Sequence, residues 1–566
     1  MSAVTAASLG IPETFNAASY FVDRNVAEGR GSHVAIECGD ARITYAEVLA
    51  NVNRVGSGLR ERFDVRPEDR VLLLLLDGPA FGYSFFGAIK IGAVPIPLNT
   101  LWKAPDYRYV IRDSRARVLV VSAELLPAIE TIPAEERASL RDIVVVGAAE
   151  PTKTHTDFNE LLASGSAELD PEPTSRDAPA FWLYSSGSTG APKGCVHLQH
   201  DMVICAELFG KGVLGIQPTD RTFSVAKLFF AYGLGNALYF PFSMGATTIL
   251  WPGPPTPQNV YAVIERHRPT VFYSVPTGYG MMLAHQRDRG AELAACVAAI
   301  NVSGPTKAGD AGNRDFDLSS IRLAVSAGEA LPVALYERFK QRFGIDIIDG
   351  IGSTEILHMF ISNRRDAIRP GSSGLIVDGY EARIVDDNRA PVPVNEIGNL
   401  WVKGDSVCAC YWNQHEKTKD TIEGHWIRTG DKYSQDADGF FWYAGRSDDM
   451  LKVGGLWVSP VEVENALVAH PAVLECGVVG HEDRDALVKP MAFVVLKPGF
   501  GGTPELAREL QQFVRERLAE YKRPRWIEFV PELPKTATGK IQRFRLRARA
   551  ADAQVKTSII PPASTV

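Results

Sequence analysis

Along this chain, short runs of β-branched and leucine residues alternate with stretches that read as amphipathic helices. The runs are RVLLLLL from Arg70, RVLVVS from Arg117, DIVVV from Asp142, TVFYSV from Thr270, IRLAVS from Ile321 and DIIDG from Asp346. Strands alternating with helices predict parallel α/β layers. From about Gly374 the pattern tightens to GLIVDGYEARIVDD and GNLWVKG, which predicts an antiparallel or barrel-like section. Beyond Met450 the spacing predicts a helix over 460–469, strands over 473–479 and 491–496, and a helix over 504–518. The polar GRSDDM segment that leads into this part reads as a hinge. The expected fold is therefore mixed α/β: a large N-terminal body of layered α/β subdomains plus a β-barrel-like section, and a small mobile C-terminal α+β domain. The boundaries expected are 1–447, 448–550 and a flexible tail over 551–566, where Pro561 and Pro562 sit among small residues.

At 566 residues the chain has room for about three to four units of ordinary domain size. Hydrophobic residues are 45%, charged residues 22%, and 60 Lys+Arg against 67 Asp+Glu leave a net charge of -7. That balance excludes a generally basic nucleic-acid binder and an acidic disordered chain. The longest apolar run, VLLLLL, stops at Asp77, far short of a membrane span, and the N-terminus lacks a basic start followed by an apolar core. A cytoplasmic location without membrane partners is expected. Seven scattered cysteines without a C-x-x-C pair read as reduced thiols, and Cys408 with Cys410 is too little for a metal site.

Chemistry concentrates in YSSGSTGAPKG, Tyr184 to Gly194, behind the apolar AFWLY strand. Gly187, Gly190 and Gly194 allow backbone amides to converge, Ser185, Ser186, Ser188 and Thr189 supply hydroxyls, and Lys193 supplies a positive charge. These groups suit a polyphosphate. The segment is not a Walker A loop, because only two residues separate Gly187 from Gly190 and Gly194 follows the lysine. Three further stretches stand out: DGIGSTE (Asp349 to Glu355), the run from His425 to Gly455 containing RTGDKY and GRSDD, and PKTATGK (Pro534 to Lys540). Read alone, the Thr-Glu pair is a helix start with an acid in its first turn, and Lys540 is a solvated charge.

Together and in this order, the four stretches resemble the motifs of the AMP-forming adenylating enzymes: acyl- and aryl-CoA ligases, peptide-synthetase adenylation domains and firefly-type luciferases. Ala231-Tyr232 and GSTEILHMFISN are most similar to the benzoate-CoA ligase branch. The resemblance implies ATP, Mg2+ and coenzyme A as cofactors and substrates. It places the 185–190 loop with Lys193 on the phosphates, Gly328 and Glu329 of SAGEALP along the adenine, and Asp349 at the adenine amino group. Thr354 is placed at a phosphate oxygen, Glu355 at the Mg2+, and Asp431 and Arg446 at the ribose hydroxyls. A carboxylate accepts from both hydroxyls of a diol, and Mg2+ takes hard oxygen ligands. Ile351 departs from the pattern, standing where many relatives have an aromatic residue.

Lys540 is identified through the resemblance as the lysine of adenylation. A positioned ammonium stabilises the charge that builds when a carboxylate attacks the α-phosphorus, and the carboxylate itself needs no general base. The small domain is expected to swing about Asp448, bringing Gly454 and Gly455 of KVGG to the pantetheine arm of CoA. Acetylation of Lys540 by a lysine acetyltransferase would remove its charge and silence adenylation. A homodimer is also implied by family.

The acyl pocket implied by the resemblance comprises Ala231, Tyr232, Gly233, Ile351, Gly352, Leu357 and His358, a compact apolar slot for a planar ring. No Asp or Glu lies between Arg221 and Leu250, so the aspartate that holds an amino acid's ammonium is missing. An aromatic carboxylate, with benzoate foremost, is the expected acid. A short or medium aliphatic acid, a free-standing module loading a carrier protein, an ADP-releasing phosphotransferase and a non-catalytic binding protein remain alternatives.

Overall fold

The computed structural model describes residues 4–148, 154–187, 190–285, 316–447, 449–453, 456–483, 487–535 and 541–553. Each of the six apolar runs forms a strand. Arg70–Leu74 and Val118–Ser122 lie in a five-stranded parallel sheet with Val94–Pro97, Asp142–Val146 and Thr156–Asp157. Leu72, Leu73 and Leu74 are fully buried, because helices cover both faces of such a sheet.

Val271–Ser274, Leu323–Ser326 and Ile347–Gly352 belong to a second, nine-stranded sheet, where they run parallel beside Arg221–Ser224 and Thr247–Leu250. Its Ile347–Gly352 strand turns back antiparallel into Met359–Ser362. The helices between strands carry local start and stop signals. Thr44 and Glu47 form a capping box on Tyr45–Arg62, and Gly344 closes Val333–Phe343 in the left-handed conformation.

The barrel-like section is an open antiparallel sheet among the described strands. Glu381–Val385, Gly398–Lys403 and Trp426–Gln435 pair in that order. The far side of Trp426–Gln435 is shared by two short strands, Ile422–Glu423 and Phe441–Arg446, and neither reaches back to Glu381–Val385 to close a barrel.

In the C-terminal part, Pro460–Val468 and Pro504–Arg515 are helices capped by Ser459 and Thr503, and Val473–Glu482 pairs antiparallel with Val488–Leu496. A third strand, Trp526–Phe529, adds in parallel. It is too short and too mixed in polarity to stand out in the sequence. The last helix, Arg543–Ala553, runs past Ala550 into the region expected to be tail. The described cysteines are all free thiols, and Cys296 lies outside the described residues. Among the described residues, no helix is long and apolar enough to cross a membrane.

Candidate active site

The Gly/Ser segment is the tip of a β-hairpin. Pro179–Gly187 pairs antiparallel with Gly190–Leu198, placing Ser185 opposite Lys193 and Phe181 opposite His197. Along the returning strand Lys193, Cys195 and His197 alternate onto one face. The short strand Cys410–Tyr411 pairs with Cys195 and Val196, and the Lys193 ammonium lies 4.8 Å from the Tyr411 ring centroid.

Tyr411 ties this hairpin to the Thr-Glu pair. Its hydroxyl donates to Glu355 Oε1 at 2.9 Å, the Ser185 hydroxyl lies 3.5 Å from the same oxygen, and the Cys408 N–H donates to the Glu355 carbonyl. Burial and the Glu355 charge push the Tyr411 phenol well above its usual range. Thr354 and Glu355 form a one-turn 3₁₀ segment capped by the Ser353 side chain. Leu357, just after it, is buried at φ +72°, a strained backbone for a leucine.

At the C-terminal ends of three neighbouring parallel strands, Ser274, Ser326 and Asp349 stand side by side. All three are buried, and Ser274 Oγ, Ser326 Oγ and Asp349 Oδ1 have no hydrogen-bond partner among the described residues. Asp349 Oδ2 accepts the Leu331 N–H at 3.3 Å, and burial pushes its carboxyl up to about 8. Orphaned polar atoms at this end of a parallel sheet mark a ligand position, and an acceptor oxygen suits an adenine amino group. Gly328, one turn from Ser326, has φ +94°. The Glu329 carboxylate accepts the N–H of Ile541 at 3.2 Å, so the residue that follows the PKTATGK stretch meets the SAGEALP loop.

Asp431 and Arg446 face each other across Trp426–Gln435 and Phe441–Arg446. Arg446 donates to Asp431 Oδ1 at 3.2 Å, and the Asp431 N–H donates to Thr429 Oγ1. Past the sheet, Asp449 accepts from Arg547 at 2.6 Å, and Glu464 accepts from Arg543 at 2.7 and 2.8 Å.

The acyl-pocket residues come from two elements. Ala231, Tyr232 and Gly233 sit on the helical turn Ala231–Leu234, and the Tyr232 hydroxyl reaches the carbonyls of Ser274 and Val325, each at 3.3 Å. A Cβ on Gly233 would lie 2.1 Å from the Lys227 carbonyl oxygen, so only glycine lets the turn close. His358 packs its ring 5.6 Å from Tyr232, 5.2 Å from Phe209 and 4.5 Å from Phe240, with Nε2 3.2 Å from Asn236 Oδ1. Burial pushes its imidazole down to about 3, so the ring is neutral. A Cβ on Gly352 would meet the His358 carbonyl oxygen at 2.7 Å. Ile351 is half-buried on the neighbouring strand.

Ser188, Thr189, Asp448, Gly454, Gly455 and Lys540 lie outside the described residues, as does the side chain of Ser186. The sequence reading missed Tyr411, His197, Ser274 and Ser326. For His197 a signal existed, since it stands two and four positions beyond Cys195 and Lys193 on a strand. The serines carry none, because their role depends on register between strands distant in the chain. Among the described residues no three His, Cys, Asp or Glu side chains gather as a metal site. The Glu355 carboxylate beside the Ser185 hydroxyl supplies hard oxygens of the kind that fit a cation shared with phosphates.

The AMP-binding enzyme family matches residues 23–412, and the AMP-binding enzyme C-terminal domain matches 462–540. The chain belongs to the AMP-binding enzyme family. It is 48% identical over 545 residues to a benzoate–CoA ligase of Thauera aromatica, covering 96% of this chain and 98% of that one. The crystal structure of an anthranilate CoA ligase in complex with anthranoyl-AMP superposes with a TM-score of 0.89 at 44% identity, covering 98% of this chain and 100% of that chain. A benzoate CoA ligase from Burkholderia xenovorans LB400 superposes with a TM-score of 0.83 at 44% identity, covering 94% and 100%.

Proposed function

We propose that this chain is an AMP-forming aryl-CoA ligase whose acid is benzoate or a close ring analogue. The observation that carries the acid assignment is the neutral His358 ring held among Tyr232, Phe209 and Phe240, which brings no charge to the acyl segment. The similarity to ligases named for benzoate and anthranilate supports the same reading.

In the first half-reaction a benzoate oxygen attacks the α-phosphorus of ATP, and the bond to the β-phosphate breaks. Pyrophosphate leaves with the electron pair, and benzoyl-AMP remains. Lys193 with the hairpin amides and hydroxyls binds the phosphates, Asp349 Oδ1 accepts from the adenine amino group, and Asp431 with Arg446 holds the ribose. Lys540 stabilises charge on the phosphoryl oxygens. Glu355 would hold Mg2+, which when bound neutralises phosphate charge. In the second half-reaction the CoA thiol attacks the acyl carbonyl, AMP leaves with its electron pair, and the thiol proton passes to solvent. Rotation near Asp448 exchanges Lys540 for Gly454 and Gly455, in keeping with a two-domain layout of 1–447 and 448–550.

A panel of benzoate, hydroxybenzoates, aminobenzoate, butyrate and hexanoate, with AMP and CoA thioester both quantified, tests the assignment. Benzoate should be used far faster than the aliphatic acids; equal rates refute the aryl reading, and ADP as product refutes the ligase. Homodimerisation and acetylation of Lys540 rest on the resemblance and residence in the cytoplasm is the default expectation; they are tested by light scattering, by mass spectrometry of the native protein and by cell fractionation.

A further inference from the structure

We infer that His197 is a positioning residue for nucleotide binding, acting through the backbone of Thr354. This rests on the ligase reading above only in taking Thr354 to face a phosphate. The imidazole is fully buried and stacks on Phe181 of the opposite hairpin strand, with centroids 5.2 Å apart and planes at 20°. Both ring nitrogens face acceptors. Nδ1 lies 2.8 Å from Asp201 Oδ2, and Nε2 lies 2.8 Å from the carbonyl oxygen of Thr354, 157 residues away in the chain. Asp201 is itself fully buried, and the same oxygen accepts the Leu198 N–H, so the carboxylate cannot drift.

The arrangement connects two parts of the phosphate site that share no secondary structure. Lys193 and His197 lie on one face of one strand, so a bond from His197 to the Thr354 carbonyl sets the distance between the Lys193 ammonium and the Thr354-Glu355 turn. Tyr411 and Ser185 hold the Glu355 side chain, and the Cys408 N–H holds the Glu355 carbonyl. The Tyr411 bond orients a carboxylate. The His197 bond fixes the peptide plane between Thr354 and Glu355, and the Cys408 bond fixes the next one. A one-turn segment that ends in a strained Leu357 needs such an outside anchor, because its own hydrogen bonds are too few to hold it.

Three variants separate this role from a purely structural one. The carboxamide nitrogen of Gln reaches the place of Nε2 and can donate to Thr354, whereas that of Asn reaches the place of Nδ1 and serves only Asp201. His197→Ala should raise the Kd for MgATP, measured by calorimetry without any carboxylic acid, about tenfold or more. It should slow acyl-AMP formation to match, while thioester formation from supplied benzoyl-AMP stays within about threefold of wild type. His197→Gln should recover most of the MgATP affinity and His197→Asn little of it. Unchanged MgATP affinity in the alanine variant, equal behaviour of Gln and Asn, or equal loss in both half-reactions would each overturn the proposal. If the alanine variant does not fold, the comparison of Gln with Asn decides alone. Because ATP binding is read without acid, a wild-type enzyme that binds MgATP yet ignores benzoate sinks the benzoate reading and leaves this one standing.

Discussion

Tyr411, on the short strand paired with the hairpin, donates its hydroxyl at 2.9 Å to Glu355 Oε1, the carboxylate proposed to hold Mg2+. A hydrogen bond to a charged group contributes about 1.5–3 kcal/mol, so Tyr411→Phe should weaken MgATP binding about ten- to a hundredfold. The KM for benzoate should move by less than about twofold, since His358 bonds to Asn236 and Tyr232 to the Ser274 and Val325 carbonyls. Steady-state kinetics with each substrate varied in turn decides it; a matching rise in both KM values would mean that the whole site had loosened.

Asp349 ties stability to pH in an unusual direction. Its native carboxyl keeps its proton up to about 8, whereas an unfolded aspartate releases it near 3.9, so the native state binds the extra proton between those values. That contribution is complete below about pH 3.9 and is lost as pH rises toward 8, with a slope of at most about 1.4 kcal/mol per pH unit. Asp349→Asn keeps an acceptor oxygen without the titration. Thermal unfolding between pH 6 and 9 should therefore fall less steeply in the variant, and identical slopes would contradict the assignment.

Gly233→Ala inserts a methyl group 2.1 Å from the Lys227 carbonyl oxygen and 2.5 Å from that of Ala226, backbone atoms with no flexible end to yield. Overpacking of this kind costs about 1–3 kcal/mol, so the melting temperature should drop and the KM for benzoate should rise, while MgATP affinity is spared. Calorimetry and acid-dependent kinetics read the two effects separately.

Lys540→Ala should abolish benzoyl-AMP formation and largely spare thioester formation from supplied benzoyl-AMP. Glu329→Ala removes the acceptor for the Ile541 N–H and should slow adenylation about three- to tenfold in the same one-sided way. Single-turnover measurements of each half-reaction test both. A Glu329→Ala enzyme equally slow in both steps would assign that contact to stability alone.

The six strands, the helices near 460 and 504 and the order of the four motifs were legible in the amino-acid sequence, because each depends on residues within one element or one turn. The pairing of Gly187 with Gly190 follows from glycines within one short stretch, and the absence of acids between Arg221 and Leu250 is read directly from the chain. Tertiary structure decided what those motifs rest on. His197 meets Thr354 across 157 residues of chain, Tyr411 meets Glu355, and Ser274, Ser326 and Asp349 form a row only when three strands take one register. A sequence records periodicity along a single strand, whereas register between strands follows from how whole layers pack. The residues expected to contact the nucleotide could therefore be read from the chain, and the residues that hold them in place could not.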